Sequence, residues 1–269
     1  MPIIPVNGIN LHYTDSGGPG EPVVLVMGSG TSGRAWHLHQ VPALTAAGYR
    51  VITFDNRGIP PTDVCAEGFT VQDLVGDLVG LTEYLELGAC RLVGTSMGAY
   101  VVQELALSHP RLVRQMVLMA TRGRVDAMRR ALSAVEIELY DSGVELPPRF
   151  DAVVQAMRNL SPRTLADDVS VGDWLDILEA TSGFTPGERA HMTVEPEPAR
   201  LDAYRGISVP CHVIAFQDDL VTPPELGLEV AEVIPRATFE RITDCGHFGY
   251  LENPEAVNKS IVEFFRRVP

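Results

Sequence analysis

The sequence lacks the features that mark a membrane span, a secretion signal or a disulfide framework. No stretch approaches the roughly 20 apolar residues that a spanning helix needs, and residues 1–10 contain neither a basic segment nor a sustained apolar one. The four cysteines among 269 residues show no C-x-x-C spacing and are too few for a disulfide-stapled fold. We therefore expect a cytoplasmic protein with free thiols and no contact with a membrane.

Positive charge is also scarce. Lys and Arg number 21 against 35 Asp and Glu, which gives a formal net charge of −14. A field of this sign repels the phosphate backbone of nucleic acids and anionic lipid surfaces. The sequence has no internal repeat or low-complexity tract, and its 45% hydrophobic and 21% charged residues are typical of a soluble globular protein. We expect its partner to be a small-molecule substrate rather than a nucleic acid.

Short segments rich in β-branched residues alternate with amphipathic helical patterns along most of the chain. The first segment alternates apolar and polar residues before a turn, which predicts an edge hairpin, whereas the later ones are nearly continuous in apolar residues. Between them, helical spacing recurs, for example over 71–87 before Gly88. The predicted strands span 9–14, 22–27, 49–54, 90–94, 115–120, 211–216 and 237–242. This alternation predicts an α/β fold with a mostly parallel sheet covered by helices on both faces.

The alternation is interrupted once, between residues 121 and 205. No buried strand is predicted there, but several amphipathic stretches are, and turn-rich segments join them. For a chain of 269 residues one domain with a single core is the default, and nothing marks a second. We therefore predict a core domain made of 1–120 and 206–269, with 121–205 inserted as a helical lid.

A G-x-S-x-G pattern follows the predicted strand at 90–94, with Ser96 at its centre and an apolar helix directly after it. A serine at such a strand–turn–helix junction is raised out of the sheet as a nucleophile. The turn strains the backbone, and Gly94 and Gly98 let the strand and the helix approach without a Cβ clash. The structural context, more than the common five-residue pattern, makes Ser96 the candidate nucleophile.

A serine hydroxyl needs a general base, and the base needs a group that fixes its tautomer. His247 follows the last predicted strand, beside Gly246, which lets the loop turn the imidazole towards Ser96. The loop after the preceding strand carries Asp218 and Asp219, and only one of them can face His247 because successive residues point in opposite directions. The chain order Ser, Asp, His is that of the triad on an α/β sheet.

These motifs resemble the α/β-hydrolase superfamily over nearly the whole chain, in particular its branch of lactonases, esterases and cofactor-free haloperoxidases. The family's acid loop reads G-x-x-D with a proline four residues later, and alignment on Pro223 selects Asp219 as the acid. Phe216 stands in place of that glycine, which alters the loop or adds an apolar wall to the pocket. The resemblance implies an α/β-hydrolase fold with an inserted helical lid and no metal or organic cofactor. A serine nucleophile also separates the chain from epoxide hydrolases and haloalkane dehalogenases, which use aspartate.

The resemblance further implies an oxyanion hole made of two backbone amides, those of Met97 and Ser29. The family's loop begins with His-Gly, whereas this chain has Met27 and Gly28. The usual histidine therefore cannot support the loop here. The backbone donor itself exists whatever side chain stands at that position.

Two sets of charged residues are expected to have structural rather than catalytic roles. Residues 55–62 resemble the family's D-x-R-G-x-G-x-S loop, and we interpret Asp55 and Arg57 as an ion pair that braces the turn. Arginines precede or open the helical insertion, and we interpret them as a solvated helix face, the alternative being a clamp for a substrate carboxylate. These are Arg122, Arg124, Arg129 and Arg130.

The candidate residues predict a hydrolase that cleaves a carboxylic ester or lactone of a small to medium organic substrate through an acyl-enzyme on Ser96. The same triad serves thioesterases, perhydrolases and carbon–carbon hydrolases, which differ in pocket and acyl acceptor. One alternative is a non-hydrolytic tailoring enzyme of natural-product biosynthesis, such as a cyclase or lyase in which Ser96 only hydrogen-bonds. Another is a ligand-sensing protein on the same fold.

Overall fold

An eight-stranded sheet forms the centre of the protein, which a computed structural model describes over residues 2–183, 185–196 and 198–267. The strands are β1 (Ile3–Val6), β2 (Ile9–Asp15), β3 (Pro22–Val26), β4 (Arg50–Phe54), β5 (Cys90–Thr95), β6 (Val113–Met119), β7 (Cys211–Phe216) and β8 (Ala237–Ile242). Their order across the sheet is β1-β2-β4-β3-β5-β6-β7-β8. Strands β3 to β8 are parallel, and β2 pairs antiparallel with β1 and β4. The predicted α/β class with a mostly parallel sheet is confirmed.

The sequence analysis did not predict strand β1, so the edge hairpin contains a strand that was not expected. It joins β2 to the preceding β1 through Asn7 and Gly8, both with positive φ (43° and 78°). An Asn-Gly pair in this conformation is a typical two-residue hairpin turn. Pro5 within a strand of four residues hides the pattern, so the Asn-Gly pair is the signal that identifies the hairpin.

Helices cover both faces of the sheet. They are α1 (Gln40–Ala46), α2 (Val71–Tyr84), α3 (Met97–Ser108), α4 (Ala127–Ser142), α5 (Pro148–Asn159), α6 (Pro162–Leu165), α7 (Asp168–Ala180), α8 (Pro186–Met192), α9 (Leu201–Tyr204), α10 (Pro224–Val233), α11 (Gly249–Glu252) and α12 (Pro254–Arg267). One apolar core cluster lies beneath α2, α3 and α10, and a second lies on the opposite face beneath α1, α11 and α12. Successive residues of β3 alternate between them, with Val24 in the first cluster and Leu25 in the second.

Helix α2 begins where its sequence pattern predicts but ends earlier. At its start, the Asp73 carboxylate accepts a hydrogen bond from the Thr70 amide at 2.8 Å, and the Thr70 hydroxyl accepts one from the Asp73 amide at 3.3 Å. The helix ends at Tyr84 rather than at residue 87, because Glu86 has a φ of 51°. A right-handed helix cannot contain this conformation.

Helices α4 to α9 lie between β6 and β7, in the region for which the sequence predicts a helical lid. We call them the helical insertion. Within it, α4 packs against α8, and α5 packs against α7. The insertion leaves the sheet at the carboxyl end of β6 and returns at the start of β7, which places it near the loops that follow the parallel strands.

The arginines that open the helical insertion are engaged with carboxylates. Glu195 accepts hydrogen bonds from Arg122 at 2.5 Å and from Arg129 at 2.8 Å, and both arginine side chains are only 11% exposed. Arg124 forms a partly exposed pair with Glu229 of α10 at 2.6 Å. The interpretation of these arginines as a solvated helix face is therefore wrong for Arg122 and Arg129, which belong to an ion network inside the insertion.

All four cysteines are free thiols, as their spacing predicts. Burial raises the pKa of the Cys245 thiol to about 12, so this residue is a protonated, packed side chain at neutral pH. Within the described ranges, every helix is too short or too polar to span a lipid bilayer.

The junction between β5 and α3 brings a helix into very close contact with the sheet. A Cβ atom added at Gly94 would lie 2.5 Å from the Gly98 carbonyl oxygen. One added at Gly98 would overlap the Val26 carbonyl oxygen and lie 2.7 Å from that of Met27. Because these neighbours are backbone atoms, they cannot move aside as a flexible side chain does.

We expect Gly98→Ala to lower the free energy of unfolding by about 3 kcal/mol, the upper end of the usual cost of overpacking. Gly172, in the middle of α7, is the matched control because nothing lies within 4 Å of its added Cβ. Gly172→Ala should raise the free energy of unfolding by about 0.5–1 kcal/mol, since alanine favours the helix. Urea denaturation of both variants measures this, and equal stability of the two would contradict the close approach.

Candidate active site

Ser96 lies at the sharp turn between β5 and α3. Its φ and ψ are 54° and −121°, a conformation that non-glycine residues rarely adopt. The backbone amide of Ser96 donates to the Met119 carbonyl at 3.0 Å, which fixes the turn to β6. The residue is half-buried between buried neighbours, so its hydroxyl is presented above the end of the sheet.

His247 lies in the loop between β8 and α11, and its ring contacts both other candidate residues. Its Nε2 lies 3.1 Å from the Ser96 hydroxyl, and its Nδ1 lies 2.8 Å from Oδ2 of Asp219. A carboxylate only accepts hydrogen bonds, so Nδ1 carries the proton and Nε2 is left to accept from the hydroxyl. The structure thus brings the three predicted residues together in one line of contacts.

Asp219, and not Asp218, faces His247. Its side chain is fully buried, and its carboxylate accepts further hydrogen bonds from the amides of Val221 and Thr222, both at 2.8 Å, and from the Thr222 hydroxyl at 2.7 Å. These donors hold the carboxylate in one orientation. Asp218 is partly exposed, and burial together with the nearby Asp244 and Glu252 carboxylates raises its pKa.

Phe216, at the position where the family has glycine, belongs to the core. Its side chain is fully buried at the end of β7, and a Cβ added at Gly249 of α11 would overlap its ring. The ring therefore fills space beneath α11. The loop still turns tightly, because the Asp219 amide donates to the Phe216 carbonyl at 3.3 Å.

The loop over residues 28–33, which we call the oxyanion loop, passes directly beside Ser96. A Cβ added at Gly28 would lie 3.2 Å from Ser96 Cβ and 3.8 Å from Ser96 Oγ. Ser29 is the next residue along, and its side chain is exposed. On the other side of Ser96, Met97 begins α3, and the first amides of a helix have no intrahelical acceptor. Both predicted amide donors thus belong to segments that border the Ser96 side chain.

Residues 55 and 56 hold the two ends of the oxyanion loop. The Asp55 carboxylate accepts hydrogen bonds from the Ser32 hydroxyl at 2.6 Å and from the Gly33 amide at 2.8 Å. Its other oxygen accepts from His12 Nδ1 at 2.6 Å. The Asn56 side-chain amide donates to the Met27 carbonyl at 2.9 Å, just before the loop.

The predicted ion pair between Asp55 and Arg57 is wrong. The Arg57 guanidinium points away from the oxyanion loop and donates to the Asp77 carboxylate of α2, with Nε 2.6 Å from Oδ2. Both residues of this pair are buried. Asp55 therefore binds the oxyanion loop, whereas Arg57 binds Asp77 of α2.

His191 of α8 contacts the middle of the oxyanion loop, and the sequence analysis missed it. Its Nδ1 accepts a hydrogen bond from the Gly30 amide at 3.0 Å, and its Nε2 donates to the Arg57 carbonyl at 2.8 Å. Burial lowers the pKa of His191 to about 4, so the ring is neutral at physiological pH. The Thr185–Glu188 capping box is a sequence signal for the start of α8, but nothing local places that helix beside residue 30.

The loop that carries His247 is attached to the helical insertion through Glu252. One Glu252 oxygen accepts from the Gly246 amide at 2.6 Å. The other accepts from the Ser161 amide and hydroxyl, both at 2.8 Å, and from the Thr164 hydroxyl at 2.6 Å. A Cβ added at Gly246 would lie 2.5 Å from the Asn159 carbonyl oxygen, so the loop and the insertion are in close contact.

One aromatic pair lies beside His247, and an apolar cavity that none of Ser96, Asp219 and His247 lines opens next to the acid loop. Trp174 of α7 stacks on Phe248, the neighbour of His247, with 5.9 Å between ring centroids. A cavity of about 310 Å³ opens between α4, α5 and the loop that follows Asp219. Its apolar lining consists of Met128, Leu132, Val154, Met157, Leu220, Val221 and Pro223. Among the described residues, no three His, Cys, Asp or Glu side chains are grouped as a metal site requires.

Comparison with known proteins identifies the family of this chain. The sequence profile of the Alpha/beta hydrolase family matches residues 23–260. A Mycobacterium tuberculosis protein that carries the name of a non-heme bromoperoxidase, BpoC, is 51% identical over 97% of this chain and 99% of its own. The crystal structure of BpoC superposes with a TM-score of 0.93, covering 97% of each chain.

More distant relatives carry names of hydrolases. The crystal structure of the enol-lactonase from Burkholderia xenovorans LB400 has a TM-score of 0.84 at 26% identity and covers 98% of this chain and 100% of its own. A 2-hydroxy-6-oxononadienedioate hydrolase of Paraburkholderia xenovorans is 27% identical over 95% of this chain and 90% of its own. Because the family profile covers most of the sequence and the nearly full-length relatives share its fold, this chain belongs to the α/β-hydrolase family.

Proposed function

We propose that the protein is a serine hydrolase that cleaves a carboxylic ester or lactone of a small to medium organic substrate. The observation that carries the proposal is the line of contacts from Asp219 through His247 to Ser96, at 2.8 Å and 3.1 Å. In such a line the carboxylate fixes the imidazole tautomer, and the imidazole takes the proton of the serine as it attacks a carbonyl.

The reaction follows from the positions of these groups. Ser96 Oγ attacks the substrate carbonyl while Nε2 of His247 accepts its proton, and Asp219 stabilises the imidazolium that forms. His247 then protonates the leaving oxygen, which leaves an acyl group on Ser96. A water molecule activated by His247 attacks this ester, and the carboxylic acid is released as the hydroxyl of Ser96 is regenerated.

The oxyanion of each tetrahedral intermediate is assigned to the amides of Met97 and Ser29. Support for this assignment is the contact between the oxyanion loop and Ser96 on one side and the start of α3 on the other. Donors fixed in advance need no reorganisation as negative charge develops, and the loss of one costs about 10²–10³ in rate. A loop held at both ends suits this requirement.

Hydrolysis of an ester or lactone is favoured by the relatives named as hydrolases, which include an enol-lactonase of the same fold. The stacked Trp174 and Phe248 rings beside His247 offer an apolar surface to the hydrocarbon part of an organic substrate.

A second candidate function is perhydrolysis, in which hydrogen peroxide replaces water and takes the acyl group from Ser96 as a peracid. The name of the relative that is 51% identical favours it. Both reactions share the acyl-enzyme and differ only in the acceptor. An assay for peracid, with an ester and hydrogen peroxide supplied together, separates the two.

A serine-reactive fluorophosphonate should add once to the wild-type protein, because the activated Ser96 hydroxyl displaces fluoride from phosphorus. Intact-protein mass spectrometry should show no adduct on Ser96→Ala or His247→Ala. Cys245→Ser is the control, since this neighbouring thiol is protonated and packed, and it should label like the wild type. A folded wild-type protein that stays unlabelled would favour ligand sensing or lyase chemistry instead.

Asp219→Asn should reduce kcat for ester hydrolysis by about 10³–10⁴-fold, because an amide cannot hold the tautomer that leaves Nε2 free. Asp218→Asn removes a carboxylate one residue away that does not face His247, and it should keep kcat within about threefold of wild type. Steady-state kinetics with one chromogenic ester would measure both. A larger loss for Asp218→Asn would mean that the acid is misassigned.

A further inference from the structure

We infer that His191 is a positioning residue that holds the oxyanion loop in the conformation needed for catalysis. This inference rests on the proposed function, because it concerns the loop to which the oxyanion is assigned. It identifies the side chain that replaces the histidine usual in the family at position 27. The replacement comes from α8 of the helical insertion, distant in sequence from the loop that it contacts.

The oxyanion loop needs a restraint in its middle. Asn56 fixes the backbone before the loop, and Asp55 fixes Ser32 and Gly33 at its end. Between them the sequence Gly-Ser-Gly-Thr has little conformational preference, and Gly30 adopts a left-handed φ of 68°. The hydrogen bond from the Gly30 amide to His191 lies one residue from Ser29. It therefore restrains the peptide that follows the assigned donor.

His191 is itself held rigidly. Its Nε2 donates to the Arg57 carbonyl at 2.8 Å, its ring packs edge-on against Phe69 with 5.3 Å between centroids, and it is 1% exposed. Helix α8 also approaches the 55–58 segment closely, because a Cβ added at Gly187 would overlap the Gly58 carbonyl oxygen. Because both ring nitrogens of His191 are hydrogen-bonded, the ring links Gly30 to the 55–58 segment.

The contact requires a neutral ring. Nδ1 can accept a hydrogen bond from the Gly30 amide only while it carries no proton. If Nδ1 were protonated, two N–H donors would face each other with no acceptor between them. Burial lowers the pKa of His191 to about 4, which keeps it neutral above that pH. Of the charged residues nearby, Glu188 of α8 would lie 3.3 Å from a Cβ added at Gly30, and the Arg57 guanidinium binds Asp77. Burial also raises the pKa of Glu188.

Rates of fluorophosphonate labelling test the inference in the full-length protein. His191→Leu keeps neither hydrogen bond, and its chemical step should be about 10–100-fold slower than that of wild type, less than the loss of a whole oxyanion donor. Its inhibitor-binding constant and final adduct mass should be unchanged. His191→Asn can still accept from Gly30 and should stay within about fivefold of wild type. His191→Gln is expected to reach Arg57 instead and should be slower than His191→Asn.

Thr185→Ala is the matched control, because it removes the N-cap of α8 without touching Gly30. Its labelling rate should equal that of wild type even though its thermal stability is lower. Labelling of His191→Leu at the wild-type rate would overturn the inference while leaving the proposed function intact. If His191→Leu does not fold, equal rates for His191→Asn and His191→Gln would overturn it. A wild-type protein that is never labelled would instead overturn the proposed function and this inference with it.

The pH dependence of thermal stability should reveal that the His191 ring is neutral in the folded protein. The pKa of His191 is about 4 in the folded protein and near its ordinary 6.5 when unfolded, so the unfolded chain binds a proton first as the pH falls. Stability from this group is complete above pH 6.5 and is lost as the pH falls towards 4. The melting temperature of His191→Asn should therefore fall less between pH 7 and pH 4.5 than that of wild type. Parallel decreases would contradict a neutral His191.

Discussion

Helix α3 presses so closely on the end of β3 that Ser96 must adopt a left-handed backbone conformation, with a φ of 54°. Such a residue costs about 1–3 kcal/mol and persists only where its surroundings determine it. Here a hydrogen bond to Met119 and two glycines without room for a Cβ determine it. Because the turn fixes the hydroxyl relative to the sheet, the other groups must be brought to it by the loops at the ends of neighbouring strands.

The segment after β4 supports the site through a different atom of each successive residue. Asp55 uses its carboxylate, Asn56 its side-chain amide and Arg57 its carbonyl, and these bonds end on the oxyanion loop, on Met27 just before it and on His191, respectively. These polar groups are buried, and each would cost about 1–3 kcal/mol if it lost its partner. The 55–58 segment and the oxyanion loop thus supply hydrogen-bond partners to each other's polar groups.

The features that could be predicted from the sequence are those that depend on local residue patterns and on the order of the strands. Buried strands have continuous apolar runs, and a serine after one strand with a histidine after the last must meet at the same sheet edge, as Ser96 and His247 do. Strand β1 was missed because it is short and contains a proline. The partners of Arg57 and His191 could not be predicted, because they lie on elements far away in sequence whose packing angle no local pattern specifies.

The helical insertion is tied to both loops that carry the candidate catalytic groups. Through His191 it holds the oxyanion loop, and through Ser161 and Thr164 it shares Glu252 with the loop of His247. Helix α5 adds a further tie, because the carbonyl of its last residue, Asn159, accepts a hydrogen bond from the Phe248 amide at 3.1 Å. Exchange of the whole insertion between relatives would therefore remove a restraint from both loops at once. Single replacements within the insertion that leave His191, Ser161, Thr164 and the Asn159 carbonyl in place would keep both restraints.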